Sequence, residues 1–258
     1  YLNMGDWASV ITEGNKLVPN AAPWNAPTGV ANGLNSNIAN VFTTYTTNES
    51  ILSAPFTTLD IPGTQNGLGW YYNPGPNGGG EYELNLTGNG IAADATWRAT
   101  PGPTGAPLDA RRAFNIPSGA RTFLRKWTKA AADADWSPIV RYAEVMLNIA
   151  EALAQTEPGT GVNARALAIL NAIRLRSDPT FTPFAPADKS SLIALILRER
   201  RIELLGEGFR TSDIGRTGAT FPAKGVVASV APSTNQYILP ISIAELLVNT
   251  VCQQNPGY

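Results

Sequence analysis

With 258 residues the chain can bury a sizeable core, and its 19 Lys+Arg against 20 Asp+Glu, spread without a basic stripe, argue against nucleic acid as a partner. It has no histidine and one cysteine, Cys252, which removes Ser-His-Asp chemistry, Cys-His nucleophiles, nearly all zinc sites and any intramolecular disulfide. No apolar run approaches the roughly 20 residues that span a bilayer, and no signal peptide is visible.

Residues 1–18 open with a turn at Gly5-Asp6 and a helix that turns Trp7, Val10, Ile11 and Leu17 inward. Such a Gly-Asp-Trp-Ala turn joins the two helices of a tetratricopeptide-type hairpin, so this stretch reads as a half-hairpin and the chain as a fragment. Residues 19–136 are rich in Gly and Pro and are expected to be mostly loop. Within them Val41-Phe42 is a short strand or a packed helical turn. Gly63 to Gly80 is loop, Glu81 to Leu86 alternates like a single strand, and Ala92 to Arg98 is a helical turn.

Residues 137–218 carry the sustained helical periodicity. The first helix is predicted from Ser137 as N-cap and Pro138 at the first position, with Ile139, Tyr142, Met146, Ile149 and Leu153 on one face. A second carries Val162, Leu167, Leu170 and Ile173, and the short link favours an antiparallel pair. The third runs from about Ser190 to Leu205, with Gly206 as the C-cap glycine. Its charges interleave with Leu195, Ile196, Ile202, Leu204 and Leu205, which leaves little purely polar surface. A semi-buried structural ion network is therefore expected from Arg141, Glu144, Glu151, Arg200, Arg201, Glu203, Arg210 and Asp213, with Glu144 and Glu151 as partners for the arginines. After a loop from Gly218 to Pro232, Gln236 to Val251 is predicted to hold a strand and a final helical turn.

The segments RYAEVMLNIAEAL, LNAIRLRS and LRERRIELLGEGFRTSDIGRTG closely resemble the C-terminal region of the RagB/SusD family. Tyr237 to Glu245 and Gln254 to Tyr258 resemble that family's closing "LLPIP…E" and "QNPGY" segments, and Asp109-Ala-Arg-Arg112 resembles its D-x-R element. The resemblance covers about Asp109 to Tyr258 in the right order. Thr211-Ser212 stand where aromatics are common and Ile214-Gly215 replace a more usual Leu-Arg, departures that bear on local packing. It implies a mainly α fold, with tetratricopeptide-like helix pairs supporting a loop-rich face and a few short strands. The chain then divides into the hairpin remnant 1–18 and a RagB/SusD region 19–258, made of loop-rich 19–136, helical core 137–218 and C-terminal segment 219–258. It also implies a surface lipoprotein of the outer membrane that binds a glycan and passes it to a TonB-dependent transporter of the SusC type. Membrane attachment would be through a lipid anchor absent from this chain, and neither enzymatic activity nor a cofactor is implied.

The aromatic run Trp70-Tyr71-Tyr72, flanked by Asn66, Asn73 and Asn77 and followed by Tyr82, Trp97 and Arg98, is the candidate ligand surface. Sugar rings stack their C–H faces on aromatic planes while Asn, Gln and Arg bond their hydroxyls. Trp70, Tyr71, Tyr72, Asn77, Tyr82, Trp97 and Arg98 are the expected contacts, against the alternative that the aromatics pin a loop to the scaffold. Trp24 is a weaker candidate, and Trp7, Trp127 and Trp136 are assigned to packing. Gly78-Gly79-Gly80 lacks the Lys and Ser/Thr of a phosphate cradle. Glu81, Glu83, Asp94 and Asp109 are the carboxylates that a glycan hydrolase would have to draw on, the third reading after a glycan-binding protein and a purely structural subunit of a transporter complex. No residue set points to a metal.

Overall fold

The computed structural model describes residues 1–27, 29–61, 63, 67–76, 78–80, 82–84, 90–99, 107–128 and 134–258. It divides into two compact units, Tyr1–Phe209 and Arg210–Tyr258.

In the first unit the chain turns at Gly5, whose φ of 69° is left-handed, and Asp6 caps α1 (Trp7–Gly14) by accepting from the Ser9 backbone N–H. There follow α2 (Ile38–Thr43), capped by Asn37, and strand β1 (Ser50–Ala54). The helical turn foreseen as one option at Val41-Phe42 is the one found. Next come α3 (Leu68–Tyr72), a 3-10 turn at Ile91–Ala93 and another at Ala110–Phe114. The hairpin of β2 (Asn115–Ser118) and β3 (Arg121–Leu124) turns through Gly119, and β4 (Ser137–Arg141) pairs antiparallel with β1. Three long helices complete the unit: α4 (Tyr142–Thr156), α5 (Ala164–Ser177) and α6 (Lys189–Glu203).

The main core is the apolar face of α4 (Tyr142, Met146, Leu147, Ile149, Ala150, Ala154) closed by Ala166, Ile169, Leu170 and Ile173 of α5 and by Leu192 and Ile196 of α6. Trp24 packs against the same cluster. α1 lies on α4 so closely that a Cβ at Gly14 would stand 2.3 Å from Cγ1 of Ile149. The link after α1 is held down by Tyr142 Oη donating to the Leu17 carbonyl and Arg165 donating to the carbonyls of Val18 and Pro19. Gly14→Ala should therefore lower stability by about 1–3 kcal/mol through overpacking, although alanine is the better helix former. Thermal denaturation of the pair checks this, and an unchanged melting temperature would mean that Ile149 moves aside freely.

Two sequence expectations change here. Ser137 to Arg141 is strand, not the first turn of a helix. Pro138 keeps Ser137 out of the α region, the β-branched Ile139 and Val140 suit a strand, and β1 is there to pair. The register skips Ile139 between the Leu52–Val140 and Ser53–Pro138 pairs, so Ile139 is a bulge residue and stands half exposed instead of facing the core. α4 starts at Tyr142, whose N–H bonds the Glu49 carbonyl. The expected loop at Trp70 to Tyr72 is instead a short helix, closed at Asn73, whose backbone N–H and side-chain amide both donate to the Gly69 carbonyl. α6 does end near Gly206, but the chain leaves the helix at Leu204 and reaches a φ of 79° two residues on.

The second unit contains the remainder of α7 (Phe209–Thr217), a 3-10 turn at Asn235–Tyr237 and α8 (Ile243–Val248), capped by Ser242. No strand forms between residues 236 and 251 as the sequence suggested. The extended stretch before α8 is pinned by side chains instead: the Gln254 amide makes both bonds to the Ile241 backbone, Asn255 bonds the Leu239 carbonyl and Tyr258 bonds that of Ile238. Asp213 accepts from Arg216, and burial pulls the Arg210 pKa down with Asp213 opposing it.

Candidate functional site

Two constellations stand out in the first unit. The deeper one is a network of ion pairs among Glu49, Asp109, Glu199, Glu203 and Glu207 on one side and Arg111, Lys126, Arg141, Arg174 and Arg176 on the other. Their side chains are at most 4% exposed. Asp109 caps its 3-10 turn and holds Arg111 through both carboxylate oxygens, at 3.0 and 2.8 Å. Arg111 also donates to Glu199 at 2.7 Å and Glu203 at 2.8 Å. Glu203 further accepts from Arg176 at 2.6 Å and Arg141 at 3.1 Å. Arg141 reaches Glu49 and forks onto Glu207, which Lys126 meets at 2.7 Å. Arg174 closes the far side onto Asp109 and Glu199.

Burial alone would raise the Glu203 pKa, but Arg176, Arg141 and Arg111 outweigh it and hold the carboxyl well below its ordinary range. Glu207 is lowered in the same way, burial being outweighed by Arg141 and Lys126.

Of the ion-network residues expected from sequence, Arg141 and Glu203 sit in this cluster. Arg200 lies between helices, donating at 2.5 Å to Asn148, which in turn donates to Glu144. Burial, opposed by Arg200, raises the Glu144 pKa. Glu151 is fully buried on α4, Arg201 is half-buried on α6, and Arg210 and Asp213 fall in the second unit. The set expected from sequence leaves out Glu49, Asp109, Arg111, Lys126, Arg174, Arg176, Glu199 and Glu207. The signal was present in the motifs themselves: D-x-R supplies Asp109 and Arg111, RLRS supplies Arg174 and Arg176, and RERRIELLGEG supplies Glu199, Glu203 and Glu207.

The second constellation is a ladder of rings. Trp127, fully buried, lies 4.9 Å from Tyr72; Tyr72 lies 5.4 Å from Tyr82; Tyr82 stacks on Tyr71 at 5.5 Å; and Trp70 meets Tyr71 edge-on at 5.3 Å. Tyr82 is the outermost, 48% exposed. Backbone bonds lay its segment against α3: Gly79 N–H to Trp70 O, Gly80 N–H to Asn73 O and Tyr82 N–H to Tyr71 O. Residues 82–84 form no strand of the kind expected at Glu81 to Leu86, only a single bridge from Glu83 to Phe123. The glycines are needed for close approach, since a Cβ at Gly79 would sit 2.5 Å from the Trp70 ring and one at Gly78 only 2.4 Å from the Asn73 carbonyl oxygen. Gly79 thus covers part of the Trp70 ring. Burial, then Tyr82 and Glu207, raise the Tyr72 pKa.

Trp97 does not join this ladder. It is 1% exposed, packs with Ile91 and Ile202 and carries Arg112 stacked 4.2 Å over its ring, so no ligand can reach it. Arg98 is committed as well, forking onto Asp178 and bonding Thr180. Asn66 and Asn77 lie outside the described residues, as does Glu81. The other three candidate acids are each held by arginine: Glu83 by Arg121, Asp94 by Arg198 and Asp109 by Arg111 and Arg174. Among the described residues no group of three or more metal-ligating side chains converges, and no helix is long and apolar enough to cross a membrane. Trp97→Ala should act on folding, costing about 3–5 kcal/mol by denaturant titration. A stable variant would mean that Trp97 does not hold its cluster together.

The family model for the SusD family matches residues 121–258, more than half of the chain. The chain belongs to the SusD family. A SusD-like protein of Formosa agariphila is 32% identical over 127 residues, 46% of this chain and 24% of the relative. The crystal structure of a SusD superfamily protein from Bacteroides fragilis superposes with a TM-score of 0.74 at 29% identity, covering 97% of this chain and 53% of that one. Surface glycan-binding protein A from Bacteroides uniformis superposes with a TM-score of 0.66 at 22% identity, covering 98% and 58%. This SusD-family chain therefore spans little more than half the length of those solved relatives. Its mainly helical architecture with few short strands is theirs.

Proposed function

We propose that this chain binds a glycan, with the outward ring of Tyr82 as the stacking surface. The observation that carries the reading is that one tyrosine stands half exposed on a ladder of rings rooted in the core. A ring so supported presents an apolar plane at little cost in side-chain freedom. Membership of the SusD family and the likeness in fold to a surface glycan-binding protein support it. Trp70 and Tyr71 flank the ring, and Tyr72 supports it from below. In the wider role the protein is a non-enzymatic component of an outer-membrane uptake system. It is held at the cell surface by a lipid anchor and delivers oligosaccharide to a TonB-dependent transporter of the SusC type.

The test is affinity electrophoresis against a panel of soluble polysaccharides. One polysaccharide should retard the protein, and Tyr82→Ala should weaken that retention about tenfold or more without changing the melting temperature, since loss of a single stacked ring is worth about 1–2 kcal/mol. The second reading, a purely structural subunit of the transporter complex, is favoured by the mutual engagement of Trp70, Tyr71, Tyr72 and Trp127. It prevails if no polysaccharide retards the protein.

A further inference from the structure

We infer that Asn73 is the positioning residue of the aromatic ladder, a role that for ligand binding rests on the glycan reading above. As a polar group next to Trp70 to Tyr72, Asn73 looks from sequence like a hydroxyl-binding side chain. In the structure it is 3% exposed and faces inward. Its side-chain amide donates at 2.8 Å to the Gly69 carbonyl, which also accepts from the Asn73 backbone N–H, and at 2.8 Å to the carbonyl of Trp127, 54 residues away. Its backbone carbonyl accepts from Gly80 N–H, two residues before Tyr82.

One residue therefore ties three pieces of chain: the helix bearing Tyr71 and Tyr72, the segment after β3 bearing Trp127 below, and the segment bearing Tyr82 above. The bond to Trp127 is made by the side chain alone, while the Tyr82 segment is also held by Gly79 N–H to Trp70 O and Tyr82 N–H to Tyr71 O, so the side chain sets how the helix seats on Trp127. Serine or aspartate could not replace it: the first cannot reach both carbonyls, and the second at neutral pH would aim a carboxylate at two acceptors. Asn73 touches no ligand itself and acts through Tyr82.

The experiment has three readouts on the full chain. In the unmodified protein, proton exchange of the Asn73 side-chain amide, followed by NMR, should be slow, and fast exchange would overturn the inference without any variant having to fold. Asn73→Leu, near in volume and without a donor, should keep the far-ultraviolet helical signal. It should lose the near-ultraviolet tyrosine band to the extent that Tyr82→Ala does, and weaken polysaccharide retention about tenfold, the equivalent of one or two net hydrogen bonds. A near-ultraviolet band unchanged in Asn73→Leu, or a lost band with retention intact, overturns the positioning role. Asn73→Asp should recover the band on mild acidification, when its carboxyl regains a donor, whereas Asn73→Leu should not. Failure of the glycan reading shows separately, as no retention of the unmodified protein, while the amide exchange and the near-ultraviolet band still decide on Asn73.

Discussion

Glu203→Gln should destabilise the protein by about 3–5 kcal/mol in denaturant titration, the cost of breaking a buried ion pair by removing one partner. Three guanidiniums, from Arg111, Arg141 and Arg176, donate to this one carboxylate, and glutamine leaves them with a buried excess of positive charge. The control is Glu83→Gln. Its pair with Arg121 is about half exposed on both sides and should be worth less than about 1 kcal/mol. If the two substitutions cost the same, the buried network contributes no more than a surface pair. The pH dependence has a definite sign. Glu203 and Glu207 both titrate below the ordinary value of 4.5 when folded, so their contribution is complete above that value. It is lost as pH falls through their folded values. Unfolding free energy measured from pH 6 downward should decline only in the acid range, and Glu203→Gln should flatten that decline.

Trp127→Ala should cost a similar amount, about 3–5 kcal/mol, from the transfer and cavity terms of an indole with no exposed surface. The loss reaches two places. Phe42 packs edge-on against Trp127 within the second core cluster, and Tyr72 rests on its other side, so the ladder beneath Tyr82 loses its footing. Trp127→Phe should be much milder, because the indole N–H has no hydrogen-bond partner among the described residues and its removal leaves nothing unsatisfied there. Chemical denaturation of both variants separates the cases. Equal losses would mean that the indole nitrogen contributes after all.

The long helices were legible because an amphipathic stripe at 3.6-residue spacing survives any change of tertiary partner: Met146, Ile149, Leu170 and Ile173 are all fully buried. The start of the first helix was not, because a Ser-Pro opening serves a strand as well as a helix until the pairing partner, β1 some 85 residues earlier in the chain, is known. The same reason hid most members of the network. That charges would be enclosed was legible from their interleaving with Leu195, Ile196, Ile202, Leu204 and Leu205, but the partners Glu49, Asp109 and Arg111 arrive from distant segments. At the candidate site the run of three aromatics was visible, but which ring faces outward was not. Gly79 covers part of Trp70, the first ring of the run, and Tyr82 stands outermost. That outcome depends on glycine contacts and on one buried amide, neither of which has a periodicity to read.

The network also bears on the order of events in folding. Glu49 waits for Arg141, 92 residues later, and for Arg176, 127 residues later; Arg111 waits 92 residues for Glu203. During synthesis from the N-terminus Glu49 has no cation of the network to pair with until Arg141 is made, and Arg111 has only Asp109 until α6 supplies Glu199 and Glu203. Burying one such charge alone costs several kcal/mol, so the network is complete only when the last carboxylates have been made. Such separations predict slow, highly cooperative folding.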